Sequence, residues 1–251
     1  RAVWMARNAR GGVELVQVVL SDVKGIIAVD ALLLPRKSFR DFVKKMPRGG
    51  VVSTAEVPRA HARWVIAQAA EAGSRNGFAP PQTYGQALAS LGRAPETEPP
   101  HPADELDFGP DGELPHQLAG GALFEDPLFI AWIPEEEPLR LFGLKFDEIQ
   151  TSQLYADEAQ RKAALEQAAD DAAAAYFDEV RKPRYARRVR DMVPVLRADN
   201  RLDAARTALA VANALAGKGG TAQPFCRALF AHALEKKITP HQTLSSGMTG
   251  R

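Results

Sequence analysis

Six basic side chains lie close together between positions 181 and 190 of the sequence. They are Arg181, Lys182, Arg184, Arg187, Arg188 and Arg190. Phosphate backbones attract Lys and Arg at this density, and Tyr185 within the cluster could stack on a base. The cluster is therefore a candidate site for binding nucleic acid or another polyanion.

Helical spacing leaves a second interpretation of the same cluster open. At about 100° per residue, Arg184, Arg187 and Arg188 fall on one side of a helix, and Tyr185 and Val189 fall on the opposite side. Tyr185 would then belong to the core. The arginines would form a solvated face, or would meet the acidic segment that precedes them in the chain.

A second basic cluster surrounds the first predicted helix of the chain. It consists of Arg36, Lys37, Arg40, Lys44, Lys45 and Arg48. If the two clusters shared one surface, the polyanion interpretation would gain support.

Aromatic side chains are concentrated between positions 124 and 146. The set consists of Phe124, Phe129, Trp132, Phe142 and Phe146. Because aromatic anchors dominate the energetics of protein interfaces, this set is a candidate docking site for a protein partner. The alternative is that the same rings form a seam of the core.

Motifs of common catalytic sites are missing from the sequence. It contains no G-x-x-x-x-G-K-[ST], G-x-G-x-x-G, G-x-S-x-G, H-E-x-x-H or paired C-x-x-C. Cys226 falls in the first turn of a predicted helix, where the helix dipole could lower the thiol pKa. His232 lies about 9 Å further along that helix, too far for direct contact, and is expected to be packed. We expect no cofactor.

Metal ligand types occur in one loop, which contains His101, Asp104, Glu105, Asp107, Asp111, Glu113 and His116. Metal sites need ligands that are fixed in space, and a loop rich in Pro and Gly does not fix them. We therefore expect no metal site. The remaining candidate, His61, is expected at a helix surface or boundary.

The composition excludes several classes of protein. With 251 residues, 45% hydrophobic and 25% charged, the chain is neither collagen-like, mucin-like nor wholly disordered. A single cysteine favours a cytoplasmic location. The longest apolar run, residues 128–133, is far shorter than the roughly 20 residues of a membrane helix, so no membrane partner is expected. A start without Met, directly on strand-like residues, predicts a piece of a longer protein.

Charge is segregated along the chain although the formal net charge is only +1. Residues 1–92 carry 13 Lys or Arg against 6 Asp or Glu, residues 93–150 carry 3 against 14, and residues 151–251 carry 16 against 11. These regions could neutralise one another within one fold, or could present separate surfaces to separate partners.

The first 92 residues predict a small sheet with helices. Residues 2–7, 13–20 and 25–34 are rich in Val, Ile and Leu and are separated by turn-forming stretches, which predicts a three-stranded antiparallel meander. The third strand is apolar apart from Asp30, so we expect it in the middle of the sheet or covered on both faces. Helices are predicted over residues 38–45, 57–73 and 82–91.

The rest of the chain predicts a linker and a helical bundle. Residues 93–120 are acidic and rich in Pro and Gly, which is typical of a loop that cannot order itself. Helices are expected at residues 126–133, from residue 135 onward, over residues 154–180 with Val180 in the core, and from Pro183, residue 200 and Pro224. We found no second copy of any segment, so a plain bundle is favoured over a repeat array.

The sequence thus predicts an α+β fold: a three-stranded antiparallel sheet with helices, followed by an all-helical C-terminal bundle. The expected domains are residues 1–92, a linker over residues 93–120, a bundle over residues 121–238 and a tail over residues 239–251. The expected function is a non-enzymatic interaction or scaffold module with a protein partner, part of a larger intracellular protein. Nucleic-acid or polyanion binding through a basic helix, and an enzyme with dispersed site residues, remain alternatives. The sequence does not define the oligomeric state.

Overall fold

The computed structural model describes residues 1–50, 52–155 and 157–238, so the predicted tail at residues 239–251 lies outside the described residues. The chain divides into two compact units. Unit 1 comprises Arg1–Arg48 and Ser53–Glu105, and unit 2 comprises the described residues of Gly49–Val52 and Leu106–Arg251. The domain boundaries expected at residues 93 and 121 stay a prediction.

Unit 1 contains the predicted three-stranded antiparallel sheet. Its strands are β1 (Ala2–Ala9), β2 (Gly12–Ser21) and β3 (Gly25–Leu34), in the order β1-β2-β3. Met5 lies opposite Val16, and Val18 lies opposite Val29. The meander is confirmed.

The expected position of the third strand was wrong. The middle strand is β2, and β3 forms an edge of the sheet. Two tight reversals in succession pair each strand with the next one, so the second strand must be central. The apolar composition of β3 does not reflect burial, because Leu32 and Leu33 are each 57% exposed.

The described part of unit 1 also contains the α-helices α1 (Arg36–Lys44), α2 (Arg59–Arg75) and α3 (Gln82–Leu91). Side chains of α2 and α3 pack with residues of the three strands in one hydrophobic core. This core contains Met5, Val16, Val18, Leu20, Ile26 and Val29 of the sheet with Ala62, Ile66, Ala69, Ala87 and Leu91 of the helices. Helix α1 contributes no fully buried residue.

Two glycines allow α2 to approach the sheet closely. A Cβ atom on Gly73 of α2 would lie 2.9 Å from the Cα of Gly25, at the start of β3. Gly25 also has a φ of +75°, which favours glycine. The β2–β3 turn therefore packs directly on the α2 backbone.

The segment predicted as a linker contains ordered structure. A short 3-10 helix spans Pro102–Glu105, and α4 spans Glu113–Leu118. Gln117 of α4 is buried; its amide donates to Glu113 and its oxygen accepts from the Thr221 amide at 3.0 Å. These bonds satisfy the polar side chain and hold a stretch that composition alone assigns to a loop.

Unit 2 continues with a helical bundle, as predicted. A 3-10 helix at Gly120–Glu125 precedes α5 (Glu136–Thr151), α6 (Glu158–Tyr176), α7 (Arg181–Ala198), α8 (Leu202–Leu215) and α9 (Gln223–Ile238). The α+β fold class with a helical C-terminal part is confirmed.

Two helix predictions for unit 2 were wrong in detail. Residues 126–133 contain a turn at residues 127–131 in place of a helix, and the Asp126 carboxylate accepts from the Leu128 amide at 3.0 Å and from Arg201 at 2.6 Å. Val180 is 74% exposed because α6 ends at Tyr176 and a new helix begins at Arg181. In the second place the Asp178 carboxylate accepts from the Val180 and Arg181 amides, so in both places an Asp side chain satisfies a short turn that replaces the predicted helical turn.

A search of the described residues finds no helix with both the length and the apolar character needed to span a bilayer.

Candidate functional site

The basic cluster of residues 181–190 lies on α7, and we name it the α7 basic cluster; some of its cations bind carboxylates of unit 2. Arg181 and Arg184 each donate to the Glu135 carboxylate at 2.7 Å, and Arg181 also binds Asp178 at 2.6 Å. The hydrogen bond from Arg181, helped by that from Arg184, holds the pKa of Glu135 below its usual range. Glu135 belongs to the acidic segment of residues 93–150. Two arginines of the cluster thus meet that segment, as the second interpretation predicts.

The other cations of the α7 cluster differ in exposure. The Arg188 guanidinium lies 4.4 Å from the ring centre of Trp132 and 5.2 Å from that of Tyr185, which is a cation–π arrangement. Arg190 is half-buried. Lys182 and Arg187 are exposed. The structure therefore leaves two of the six cations on the surface, which is little charge for a polyanion site.

The aromatic cluster lies inside unit 2. Phe124, Phe129, Trp132 and Phe142 are buried, and Phe146 is half-buried. These rings contact aromatic side chains of α9: Phe124 stacks on Phe225 at 5.2 Å, and Phe142 meets Phe230 edge-on at 5.5 Å. Their burial favours the core interpretation over the docking interpretation, because a buried ring offers no surface to a partner.

The nucleophile and base candidates are packed groups. Burial raises the pKa of the Cys226 thiol to about 12, so the helix dipole does not activate it. His232 packs beside Phe124 and bonds the Ile130 carbonyl oxygen at 2.9 Å, as expected of a packed histidine. His61 is 6% exposed and contacts the His101 ring edge-on at 4.5 Å. The expected surface or boundary position of His61 was therefore wrong.

Helix α1 carries the second basic cluster on an exposed face. Pro35 ends β3 and precedes the helix, since proline has no amide hydrogen for the sheet and its φ suits a helix start. Phe39 and Phe42 are half-buried, and the Phe42 ring meets the Trp4 ring of β1 edge-on at 6.5 Å. The apolar side of α1 thus packs on the sheet.

Four cations project from the opposite side of α1 and form what we name the α1 basic face. They are Arg36, Lys37, Arg40 and Lys44, and all four are exposed. Lys45 and Arg48, just after the helix, are exposed too. Among the residues that the structure describes, none of these six side chains forms a salt bridge.

Part of the charge on the α1 basic face opposes the stability of its own helix, although Lys44 in the last turn suits the helix dipole. Arg36 and Lys37 occupy the first turn, where the helix dipole favours acidic groups, and that turn contains none. Arg36 with Arg40, and Arg40 with Lys44, are like charges four residues apart, which repel each other. A bound anion would relieve both effects.

A groove in unit 2 runs between α5 and α6. Its volume is about 600 Å³. Leu141, Phe142 and Ile149 of α5 contribute apolar lining, and α6 contributes a row of small residues, Ala164, Ala168, Ala172 and Ala175. Its charged lining consists of Glu137 and Lys145 on α5, Asp171 on α6 and Arg181. Leu141 is 54% exposed. The sequence analysis did not predict this groove. The spacing of the alanines on α6, and Leu141 outside the predicted apolar face of α5, are the signals that could have indicated it.

Comparison of the chain with protein-family models, with curated proteins and with solved structures finds no match. Its function has to be inferred from its own residues and their geometry.

Proposed function

We propose that the protein is a non-enzymatic interaction module that binds nucleic acid through the α1 basic face. The observation that carries this proposal is an exposed row of cations with no salt bridge among the described residues, two of which, Arg36 and Lys37, lie in the first helical turn where the dipole favours acidic groups.

The spacing of the row suits a phosphate backbone. Arg36, Arg40 and Lys44 recur every fourth residue, so successive Cα atoms are about 6 Å apart along the helix and the row is about 12 Å long. One strand of a duplex carries a phosphate roughly every 3.4 Å along its axis, so such a row faces several phosphates. Lys37, Lys45 and Arg48 extend the positive surface on either side.

Two other classes of anionic partner fit the geometry less well. A helix that lies in a membrane surface buries its apolar side in the lipid, but Phe42 of α1 packs against Trp4. Protein interfaces depend on aromatic anchors, and the α1 basic face holds none. Phosphate contacts require only cations and hydrogen-bond donors.

The experiment that tests the proposal compares two variants of the full chain. The first changes the α1 basic face by Arg36→Gln, Lys37→Gln, Arg40→Gln and Lys44→Gln. The second, a control, changes the exposed cations of α7 by Lys182→Gln and Arg187→Gln. Binding to labelled DNA and RNA duplexes of about 20 base pairs is measured by fluorescence anisotropy at about 50 and 200 mM salt.

We expect wild-type affinity to fall roughly a hundredfold between the two salt concentrations if four phosphate contacts are made. The α1 variant should lose that salt-dependent affinity, and the α7 control should keep it. Loss of binding in the control alone would support the 181–190 site and contradict the α1 site. Binding of anionic vesicles but of no nucleic acid would also contradict the proposal.

A further inference from the structure

We propose that the groove between α5 and α6 binds the same surface of a second copy of this chain, which makes the protein a two-fold symmetric dimer. The inference concerns unit 2 and does not depend on the role of the α1 basic face.

The first support is that the groove surface is complementary to itself. Leu141 is a large apolar side chain that stands more than half exposed at the α5 wall. The α6 wall is lined by Ala164, Ala168, Ala172 and Ala175, whose small side chains leave room for a projecting one. In a two-fold interface the same patch faces itself, so each projecting group needs a recess on that same patch. Leu141 of one copy and the alanine row of its partner meet this requirement in both directions.

The second support is charge. Lys145 on the α5 wall and Asp171 on the α6 wall have opposite signs. When the two-fold axis places α5 of one copy against α6 of the other, the Lys145–Asp171 pair forms twice, once on each side. Within one chain Lys145 binds Glu148 on its own helix at 2.9 Å, and Asp171 accepts a hydrogen bond from Gln167 at 2.8 Å. Both side chains are exposed, so a second copy can reach them, and its Asp171 would compete with Glu148 for Lys145.

The shape of the groove favours a helix over a small molecule. Small-molecule sites enclose most of their ligand, whereas this groove lies open between two helices and extends from Ala164 to Tyr176 of α6. A helix face is the apolar object that fits such a channel, and α5 of a second copy supplies one.

The first measurement is the mass of the full chain in solution, by light scattering and sedimentation at concentrations up to about 100 µM. Leu141→Ser is the test variant. Leu144→Ser is the matched control, because Leu144 is on the same helix and 56% exposed but does not line the groove. We expect a wild-type dimer that Leu141→Ser dissociates and Leu144→Ser preserves. Circular dichroism checks that both variants are folded.

A charge exchange tests the arrangement itself. Lys145→Asp and Asp171→Lys should each weaken the dimer by about tenfold in dissociation constant, because each brings like charges together on both sides. An equimolar mixture of the two variants should restore the wild-type affinity, since both contacts are then of opposite sign. No rearrangement within a single chain produces this recovery.

Three results would overturn the inference. They are a wild-type monomer over the whole concentration range, a dimer that responds equally to Leu141→Ser and Leu144→Ser, and single charge variants that do not recover on mixing. A monomer that carries an apolar small molecule, seen by native mass spectrometry and lost in Leu141→Ser, would assign the groove to a ligand in place of a second copy.

Discussion

Glu135 organises the start of α7 through two arginines. Glu135 lies just before α5, and its carboxylate accepts hydrogen bonds from Arg181 and Arg184 of α7. These contacts also explain why the 181–190 cluster is a weaker polyanion candidate than its sequence indicates. An arginine that already binds a carboxylate has less charge to offer a phosphate.

The lowered pKa of Glu135 predicts a pH dependence of stability. A carboxyl group whose pKa is lower in the folded state stabilises the fold above its unfolded pKa, and this contribution is lost as the pH falls through the folded pKa. The unfolding temperature of the wild type should therefore fall more steeply than that of Glu135→Gln between about pH 7 and pH 3. Thermal scans across this range measure both slopes.

The control for this prediction is Glu179→Gln. Glu179 is exposed and has no salt bridge among the described residues. This variant should keep the wild-type slope. Equal slopes for all three proteins would show that the Glu135 contacts contribute nothing to the acid sensitivity.

At the scale of elements, the contact between α2 and the β2–β3 turn depends on glycine. Gly73→Ala adds a Cβ that would lie 2.9 Å from the Gly25 Cα. The atoms nearest to this Cβ are backbone atoms of Lys24 and Gly25, which cannot move aside as the end of a flexible side chain can. We expect this change to lower the free energy of unfolding by about 1–3 kcal/mol, although alanine is the better helix former.

Gly85→Ala in α3 is the matched change. A Cβ at Gly85 meets no atom within 4 Å, so only the helix preference remains. This variant should raise the free energy of unfolding by about 0.5–1 kcal/mol. Urea titration of both variants measures the two values. If both variants changed the free energy of unfolding in the same direction, the close approach of α2 to the β2–β3 turn would not contribute to stability.

Local sequence patterns predicted most helices and strands. They failed where a contact with a distant part of the chain determines the local structure. The turn residues and apolar runs of residues 2–34 indicated the sheet, and the residue spacing in α5 and α7 indicated helices. The turn at residues 126–133 was missed because Asp126 is held by Arg201, 75 positions away in the sequence. The edge position of β3 was missed because strand composition does not report which face is covered.

The candidate site was only partly predictable for a related reason. Both basic clusters are visible in the sequence, but which cations are already paired depends on the fold. Glu135 is 46 residues from Arg181 and still binds it. No pattern of residue types within either cluster distinguishes the paired arginines of α7 from the exposed cations of α1.

At the scale of the whole molecule, each unit has its own buried core. Leu20 belongs to the core of unit 1, and Leu229 is fully buried in unit 2. We expect Leu20→Ala and Leu229→Ala each to cost about 2–5 kcal/mol in the unit that contains the mutation. The other unit should keep its stability to within about 0.5 kcal/mol.

Hydrogen exchange resolves this prediction by segment. Amides of β2 should lose protection in Leu20→Ala, and amides of α8 should lose it in Leu229→Ala. Loss of protection in both segments from either change would show that the two units unfold as one cooperative body, and would count against separate domains.

Because the chain has a single cysteine, local opening of unit 2 can be measured without introducing a labelling site. Cys226 is buried in α9, and burial also raises the pKa of its thiol, so a thiol reagent has little access to the reactive thiolate in the folded state. Alkylation must then wait for α9 to open, so the rate of modification counts opening events of unit 2 alone. In the wild-type protein the rate of thiol modification therefore reports how often the helical bundle opens locally. Unit 1 adds nothing to this rate because it has no cysteine.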